Sequence, residues 1–278
     1  MNNSFYSDLV ANPEIKIMGI LNVTPDSFSD GGKYYSKIKA TERALQMLDD
    51  GADIIDIGGE SSRPGASPVS VNEEIDRTIP VIENILDQRK DAIISIDTIK
   101  PEVAELALQN GAKIVNDISA FANMKLLEIV KKYSAALVIM HMQGSPSTMQ
   151  NDPKYNNVVE DVYKFLYEKA EIAKSNGVEQ LILDPGIGFG KSGEDNFMLL
   201  KNLKKFTKLQ LPILIGVSKK SLIGKSLNLP LEKREIASVI LETVSINSGA
   251  KIIRTHNVKN GMQIKKLINY INTPNKLA

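Results

Sequence analysis

Side chains that can bind anions and polar rings recur along the chain, each soon after a short apolar run. Three chemical kinds are present: carboxylates, amides and cations. A carboxylate accepts two parallel N–H bonds, an amide both donates and accepts, and cations attract anionic oxygens. If the fold gathers them at one rim, these side chains predict a polar site there, and the candidates are Asn22, Arg63, Asp97, Asn116, Asp184, Lys220, Arg254 and His256.

The apolar runs before these residues have the character of buried strands. They are rich in Ile, Leu and Val and do not alternate with polar residues, which is typical of strands covered on both faces in a parallel sheet. We predict eight strands, at residues 15–23, 53–58, 92–97, 113–118, 136–141, 181–184, 213–217 and 251–254.

Helical patterns lie between the strands, and the clearest cover residues 37–50, 101–110, 158–176 and 231–248. Each is followed by a glycine, which commonly ends a helix. The last of them carries apolar residues at helical spacing, at Ile236, Val239, Ile240 and Val244. Eight strand–helix units between residues 15 and 270 average about 32 residues each, which is the size of a βα repeat.

This repetition predicts an α/β fold, a single (β/α)8 TIM barrel at residues 15–278, with an N-terminal extension at residues 1–14. An open doubly wound sheet is the alternative. It is disfavoured because no glycine-rich nucleotide fingerprint follows the first strand. A barrel places its active site at the carboxyl ends of its strands, and the polar residues follow those ends.

Composition excludes several other classes of protein. The 278 residues include 34 Lys and Arg against 33 Asp and Glu, which argues against a broad surface for nucleic acid or for a membrane. The absence of cysteine rules out disulfides, cysteine zinc sites and a cysteine nucleophile. Residues 1–13 lack the pattern of a signal peptide, and no run approaches about 18 apolar residues. We therefore expect a cytoplasmic protein.

Longer motifs surround the polar residues, at 18–28, 56–61, 63–65, 116–117 and 184–186. In these motifs, and over about residues 15–266, the sequence resembles the dihydropteroate synthase family. The resemblance implies a transferase that joins 6-hydroxymethyl-7,8-dihydropterin diphosphate to p-aminobenzoate. The products would be 7,8-dihydropteroate and diphosphate, in folate biosynthesis. It also implies magnesium as the cofactor and a homodimer as the assembly.

The resemblance implies a role for each residue of the site. The pterin would be bound by Ser62, Asp97, Asn116, Asp184, Lys220 and Arg254. The diphosphate would be bound by Asn22, Arg63 and His256, with the amide of Asn22 as the magnesium ligand. p-Aminobenzoate would be enclosed by Phe28, Pro64, Phe189 and Ser218. The catalytic residues would be Asn22, Arg63, Lys220 and His256.

Some of these assignments have alternatives. Lys219 stands where the family pattern has arginine, so either Lys219 or Lys220 could meet the pterin, and we favour Lys220. We interpret Asp117 and His141 as structural. The segment 190–192, Gly-Lys-Ser, ends like a phosphate-binding P-loop, but position 185 is proline where that loop requires glycine.

Two loops, at residues 23–36 and 61–70, are polar, contain glycine and are longer than a compact barrel requires, so we predict that they are lids over the site. Two other functions stay open. One is a pterin-binding methyltransferase domain of the same barrel family, which would not need the diphosphate set. The other is a catalytically silent homologue that serves as a binding subunit, because fold and motif do not prove turnover.

Overall fold

The computed structural model describes residues 4–24, 32–61, 67–145, 148–149 and 152–273. These ranges contain eight strands, which are β1 (Lys16–Asn22), β2 (Ile54–Gly58), β3 (Ile94–Asp97), β4 (Ile114–Asp117), β5 (Ala136–Met140), β6 (Leu181–Asp184), β7 (Leu214–Ile215) and β8 (Ile252–Thr255). All pair in parallel, in the order β6-β5-β4-β3-β2-β1-β8-β7. A bridge between Leu183 and Ile213 joins β6 to β7 and closes the predicted (β/α)8 barrel.

Ten α-helices connect and surround the described strands. They are α1 (Ser4–Ala11), α2 (Gly32–Asp49), α3 (Val71–Gln88), α4 (Pro101–Gln109), α5 (Lys125–Lys132), α6 (Val158–Ser175), α7 (Gly193–Lys201), α8 (Ser221–Leu227), α9 (Glu235–Asn247) and α10 (Val258–Asn272). Short 3-10 helices lie at Leu203–Leu209 and Leu231–Lys233. None of the helices in the described part of the chain is long and apolar enough to cross a membrane.

The hydrophobic core has two layers, one between strands and helices and one inside the barrel. The inner layer includes residues near the amino ends of the strands, which are Met18, Ile54, Ile114, Ala136, Val138, Ile182, Leu214 and Ile252. Phe5 and Leu9 of α1 belong to this layer. Helix α1 therefore closes the barrel at the end opposite the carboxyl ends of the strands. The division predicted between residues 14 and 15 falls between α1 and β1, and it stays a prediction that residues 1–14 are separate from the barrel domain.

Helix α9 differs from the expectation in two ways. It begins at Glu235 rather than at residue 231, because residues 231–233 form a separate 3-10 helix. Its apolar stripe also points away from the barrel, since Ile236, Ile240 and Val244 are 77%, 55% and 43% exposed. The face that packs inward includes Ser238, Glu242, Ser245 and Ile246. Periodicity identifies an apolar face of a helix but does not say what covers it.

Truncation of Leu9 tests whether α1 is part of the folded barrel. The side chain of Leu9 is fully buried in the inner layer, so we expect Leu9→Ala to lower the free energy of unfolding by about 2–5 kcal/mol. Val10→Ala is the matched control, because the neighbouring side chain is exposed and its truncation should change stability by less than about 0.5 kcal/mol. Urea denaturation of the two variants gives the comparison. Equal stabilities would show that α1 does not stabilise the barrel.

Candidate active site

The ends of four neighbouring strands lie in register at one side of the barrel mouth. Asn22 of β1 pairs with Gly58 of β2, Gly58 with Asp97 of β3, and Asp97 with Asn116 of β4. The side chains of Asp97 and Asn22 flank Gly58 closely, since a Cβ there would be in ordinary van der Waals contact with both, 3.5 Å from Asp97 Cβ and 3.8 Å from Asn22 Oδ1. Three of the predicted site residues therefore share one level of the mouth.

A network of charged side chains crosses this side of the mouth. The Nε atom of Arg254 donates to Asp56 Oδ2 at 2.6 Å, and its Nη2 atom donates to Asp97 Oδ2 at 2.7 Å. Asn116 Nδ2 donates to the same oxygen of Asp56 at 3.0 Å. Burial alone would lower the pKa of Arg254, but the carboxylates of Asp56 and Asp97 outweigh this and raise it. Burial also raises the pKa of Asp97, and Arg254 opposes that rise.

The sequence-based site omitted Asp56, although this residue connects the network. Its side chain is fully buried, and its Oδ1 atom has no hydrogen-bond partner among the described residues. The sequence did contain a signal, since a lone acidic residue interrupts the apolar strand Ile54–Gly58. Charged residues are almost never fully buried without a partner or a function. Asp56 thus adds a third carboxylate to Asp97 and Asp184, the two that were predicted to bind the pterin.

Asp184 and Lys220 lie on the other side of the mouth. Asp184 Oδ1 accepts from the backbone N–H of Gly186 at 2.7 Å. Burial raises the pKa of Asp184, and attraction to Lys220 opposes this shift. Burial lowers the pKa of Lys220 to about 8, again against the attraction of Asp184. The Nζ atom of Lys220 donates to the carbonyl of Ile187 and lies 4.5 Å from the centre of the Phe189 ring.

The structure separates Lys219 from Lys220. The φ angle of Lys219 is 56°, in the left-handed region that side chains other than glycine adopt rarely. Its Nζ atom pairs with Glu235 of α9 at 3.3 Å, and its backbone N–H donates to Ser238. Lys220 is thereby the lysine that faces Asp184, and the contact between Lys220 and the pterin stays a prediction.

His256 and Ser218 meet at the ends of β8 and β7. Ser218 Oγ lies 3.1 Å from His256 Nδ1 and accepts from the backbone N–H of His256 at 3.2 Å. The family resemblance predicts that His256 binds the diphosphate and that Ser218 contacts p-aminobenzoate, so this contact joins the two predicted subsites.

Four of the predicted site residues lie outside the described residues: Phe28, Ser62, Arg63 and Pro64. Large parts of the two predicted lid loops, 23–36 and 61–70, fall outside as well. Residues 32–36, predicted as part of the first loop, are instead the first turns of helix α2. The roles predicted for these residues and loops stay predictions.

Asp117 has the structural role that the sequence indicated. Its Oδ1 atom accepts from the backbone N–H of Ser119 at 2.7 Å and from the Ser119 hydroxyl at 2.6 Å. Its Oδ2 atom accepts from the backbone N–H of Phe121. Asp117 therefore holds the β4–α5 loop, while its neighbour Asn116 belongs to the network at the mouth.

His141 is a buried residue at the end of β5. Its Nδ1 atom lies 2.9 Å from Nζ of Lys191, and its ring meets the ring of Phe165 edge-on at 4.8 Å. An ammonium group can only donate, so Nδ1 accepts and the imidazole is neutral. Burial, reinforced by the charge of Lys191, lowers the pKa of His141 to about 3. These contacts fit the structural role predicted for His141.

The buried neutral His141 predicts a loss of stability in acid. The unfolded chain takes up a proton at this residue below about pH 6.5, whereas the folded protein does not until about pH 3. The contribution of His141 to the unfolding free energy should therefore fall with decreasing pH, by about 1.4 kcal/mol per pH unit. Urea denaturation of the wild type and of His141→Gln between pH 6.5 and 5 isolates this difference.

Met140→Leu is the control for this measurement, because it changes a buried neighbour of His141 but no titratable group, and it should keep the wild-type slope. A parallel decline in wild type and His141→Gln would contradict the prediction.

Magnesium has one candidate ligand among the described residues predicted for the site, the amide oxygen of Asn22. No cluster of three or more His, Cys, Asp or Glu side chains that could hold a metal ion is found among the described residues. Magnesium binds oxygen atoms and usually keeps several waters, with few ligands from the protein and others from substrate phosphates. The donor chemistry of Asn22 fits an ion that is bound mainly through a diphosphate.

The barrel and its mouth define a class of protein: a (β/α)8 enzyme whose strand ends present carboxylates, an amide and cations to a polar ring. The family model described as "Pterin binding enzyme" matches residues 18–256 of this chain. This match spans most of the chain and all eight strand ends. The chain belongs to the family of pterin-binding enzymes.

Relatives within the family agree on one activity. The dihydropteroate synthase of Escherichia coli K12 is 45% identical over 254 residues, covering 91% of this chain and 90% of that protein. The dihydropteroate synthase of Haemophilus influenzae is 46% identical over 245 residues, covering 87% of this chain and 89% of that protein. A Xanthomonas albilineans dihydropteroate synthase bound to 4-aminobenzoic acid superposes with a TM-score of 0.88 at 38% identity, covering 94% of each chain. Similarity of this extent places the chain among the dihydropteroate synthases.

Proposed function

We propose that this protein condenses 6-hydroxymethyl-7,8-dihydropterin diphosphate with p-aminobenzoate to give 7,8-dihydropteroate and diphosphate. The observation that carries the proposal is the polar mouth of the barrel, with Asp56, Asp97, Asn116 and Arg254 on one side. On the other side of the mouth, Asp184 faces Lys220. A ring that has donors on one edge and an acceptor beside them complements this set.

The pterin edge would bind to carboxylate and amide groups. Its amino and ring N–H groups would donate to Asp184, and Asn116 can both donate and accept. The unpartnered Oδ1 atom of Asp56 provides a further acceptor. Lys220 would donate to the pterin carbonyl or a ring nitrogen, and the flat guanidinium of Arg254 can stack on the ring.

The reaction is a substitution at the methylene carbon of the pterin. The bond from this carbon to the diphosphate oxygen breaks, and the bond to the aniline nitrogen forms. Positive charge that develops on the pterin would be stabilised by the carboxylates of Asp97 and Asp184. His256, with Arg63, would bind the departing diphosphate. Magnesium, when bound through Asn22, would neutralise part of the charge on that anion.

p-Aminobenzoate would lie against Phe189, whose ring is next to Lys220. A related enzyme binds 4-aminobenzoic acid, and this supports the same ligand here. The amine of an arylamine is neutral at pH 7 and needs little activation, so the proposal requires no residue to act as general base. A cytoplasmic location is also part of the proposal, which the absence of cysteine supports.

Product formation tests the proposed activity directly. Purified protein with both substrates and magnesium should form dihydropteroate, and a chelator should stop the reaction until magnesium is added back. Binding of the pterin without product would favour the silent homologue. Transfer of a methyl group to a corrinoid partner would favour the methyltransferase.

Replacement of the Asp184 carboxylate tests the pterin assignment. Asp184→Asn keeps the shape but loses the charge and one acceptor, so the affinity for the pterin diphosphate should fall about 100-fold by calorimetry. Asp87→Asn is the matched control, because Asp87 is an exposed residue near the carboxyl end of α3, away from the mouth. Unchanged affinity in folded Asp184→Asn would reject the role given to Asp184.

We further propose that the protein is a homodimer and that α9 and α10 form its interface. These helices pack side by side and expose an apolar surface made of Ile236, Ile240, Val244, Leu267 and Ile271. Exposed apolar patches that are contiguous commonly mark interfaces, and two-fold dimers are the commonest oligomers.

A charge placed on this surface should dissociate the dimer. We expect Ile240→Asp to elute and sediment as a monomer, since an aspartate at the centre of the interface would be buried unpaired. Ile172→Asp, at an exposed isoleucine of α6, is the control and should leave the assembly unchanged. A dimer that survives Ile240→Asp at micromolar concentration would place the interface elsewhere.

A further inference from the structure

In the loop between β6 and α7, every residue from 186 to 190 has a backbone group that is hydrogen-bonded to a side chain. We call residues 186–190 the Phe189 loop. Lys191 Nζ donates to the carbonyls of Gly186 and Phe189, each at 2.9 Å. Lys220 donates to the carbonyl of Ile187, and Tyr155 Oη donates to the carbonyl of Gly190 at 2.6 Å. The backbone N–H of Gly188 donates to Asn196 Oδ1 at 2.6 Å.

Lys191 makes the largest number of these contacts. Its ammonium also lies 2.9 Å from His141 Nδ1 and 3.1 Å from the carbonyl of His141. The side chain is buried, and burial of a cation is unfavourable unless it is well bonded. Burial lowers the pKa of Lys191 to about 7, while attraction to Asp184 opposes this shift. Four acceptors surround three protons, so the ammonium has no proton left for a substrate anion.

The Phe189 loop also fits closely against the end of β5. Gly186 has a φ of 69°, and a Cβ there would lie 1.9 Å from the carbonyl oxygen of His141. Gly190 has a φ of 56°, and a Cβ there would lie 2.5 Å from the carbonyl oxygen of Gln143. Contacts this close tolerate no side chain, so the loop rests on β5 in one position. The bonds from Lys191 connect the loop to His141 in that position.

The consequence concerns the aromatic ring that this loop carries. We infer that Lys191 is a positioning residue for p-aminobenzoate: its ammonium fixes the Phe189 loop against β5 and thereby orients Phe189 toward the mouth beside Lys220. The inference rests on the proposed function, because it assumes that Phe189 contacts p-aminobenzoate. Lys191 acts through the loop and touches neither substrate.

Lys191→Met tests this role, because methionine has a similar length and no donor. We expect the KM for p-aminobenzoate to rise about tenfold, the effect of losing hydrogen bonds from a charged donor. The KM for the pterin diphosphate should change by less than about twofold, since the ammonium of Lys191 bonds to His141, Gly186 and Phe189 and to none of the described residues assigned to the pterin. A rise in both KM values by the same factor would overturn the inference.

Lys169→Met is the matched control. Lys169 also donates to a backbone carbonyl, that of Ala120 at 3.0 Å, and lies 4.4 Å from the centre of the Phe121 ring. Lys169→Met should lower the stability of the protein without raising the KM for p-aminobenzoate relative to the KM for the pterin diphosphate. If Lys169→Met raised the KM for p-aminobenzoate to the same extent, the effect of Lys191 would be one of general stability.

Tyr155→Phe provides a second test should Lys191→Met fail to fold. It removes only the bond from Tyr155 Oη to the Gly190 carbonyl, and it should raise the KM for p-aminobenzoate in the same direction by about threefold. Wild type that forms no dihydropteroate would contradict the proposed function. If the wild type is active and the folded loop variants have the same KM for p-aminobenzoate as the wild type, only the role of Lys191 is contradicted.

Discussion

The ion pairs of Arg254 are the interaction on which the mouth of the barrel depends. One guanidinium binds carboxylates from two other strands, at positions 198 and 157 residues away in the chain. Buried charges are tolerated in proteins only when they are paired and hydrogen-bonded. Arg254 gives the buried side chains of Asp56 and Asp97 a charged and hydrogen-bonded partner. The acceptor-rich character of the mouth follows from this pairing.

The repeating architecture was predictable because strands buried on both faces leave a strong signal in sequence. Seven of the eight predicted runs contain an observed strand, and the eighth, at residues 251–254, ends one residue before β8 does. The run at residues 213–217 forms a strand only at Leu214–Ile215. Ile213 contributes a single bridge to β6 instead. Helix α1 was missed because eight residues give too short a pattern to separate from a polar terminus. Helix α9 was found, but its outward apolar stripe depends on tertiary packing, which periodicity does not contain.

The candidate site was predictable to the extent that its residues follow strands. Asp97, Asn116 and Arg254 come together in one network because they end neighbouring or facing strands, and Asp184 meets Lys220 for the same reason. Asp56 was missed because it lies within a strand rather than after it. Lys191 was considered only as part of a phosphate-binding motif, and its contacts with four acceptors depend on how the Phe189 loop folds back onto β5.

The closure of the barrel by α1 has a consequence for the movement of substrates. Apolar side chains fill the interior, and Phe5 and Leu9 cover its far end, so no polar molecule can cross the barrel from that side. In the described part of the barrel, the strand ends are therefore reached from the mouth and not through the barrel interior. A molecule bound in the outer part of the mouth therefore blocks the release of a molecule that is bound more deeply, so the outer molecule must leave first.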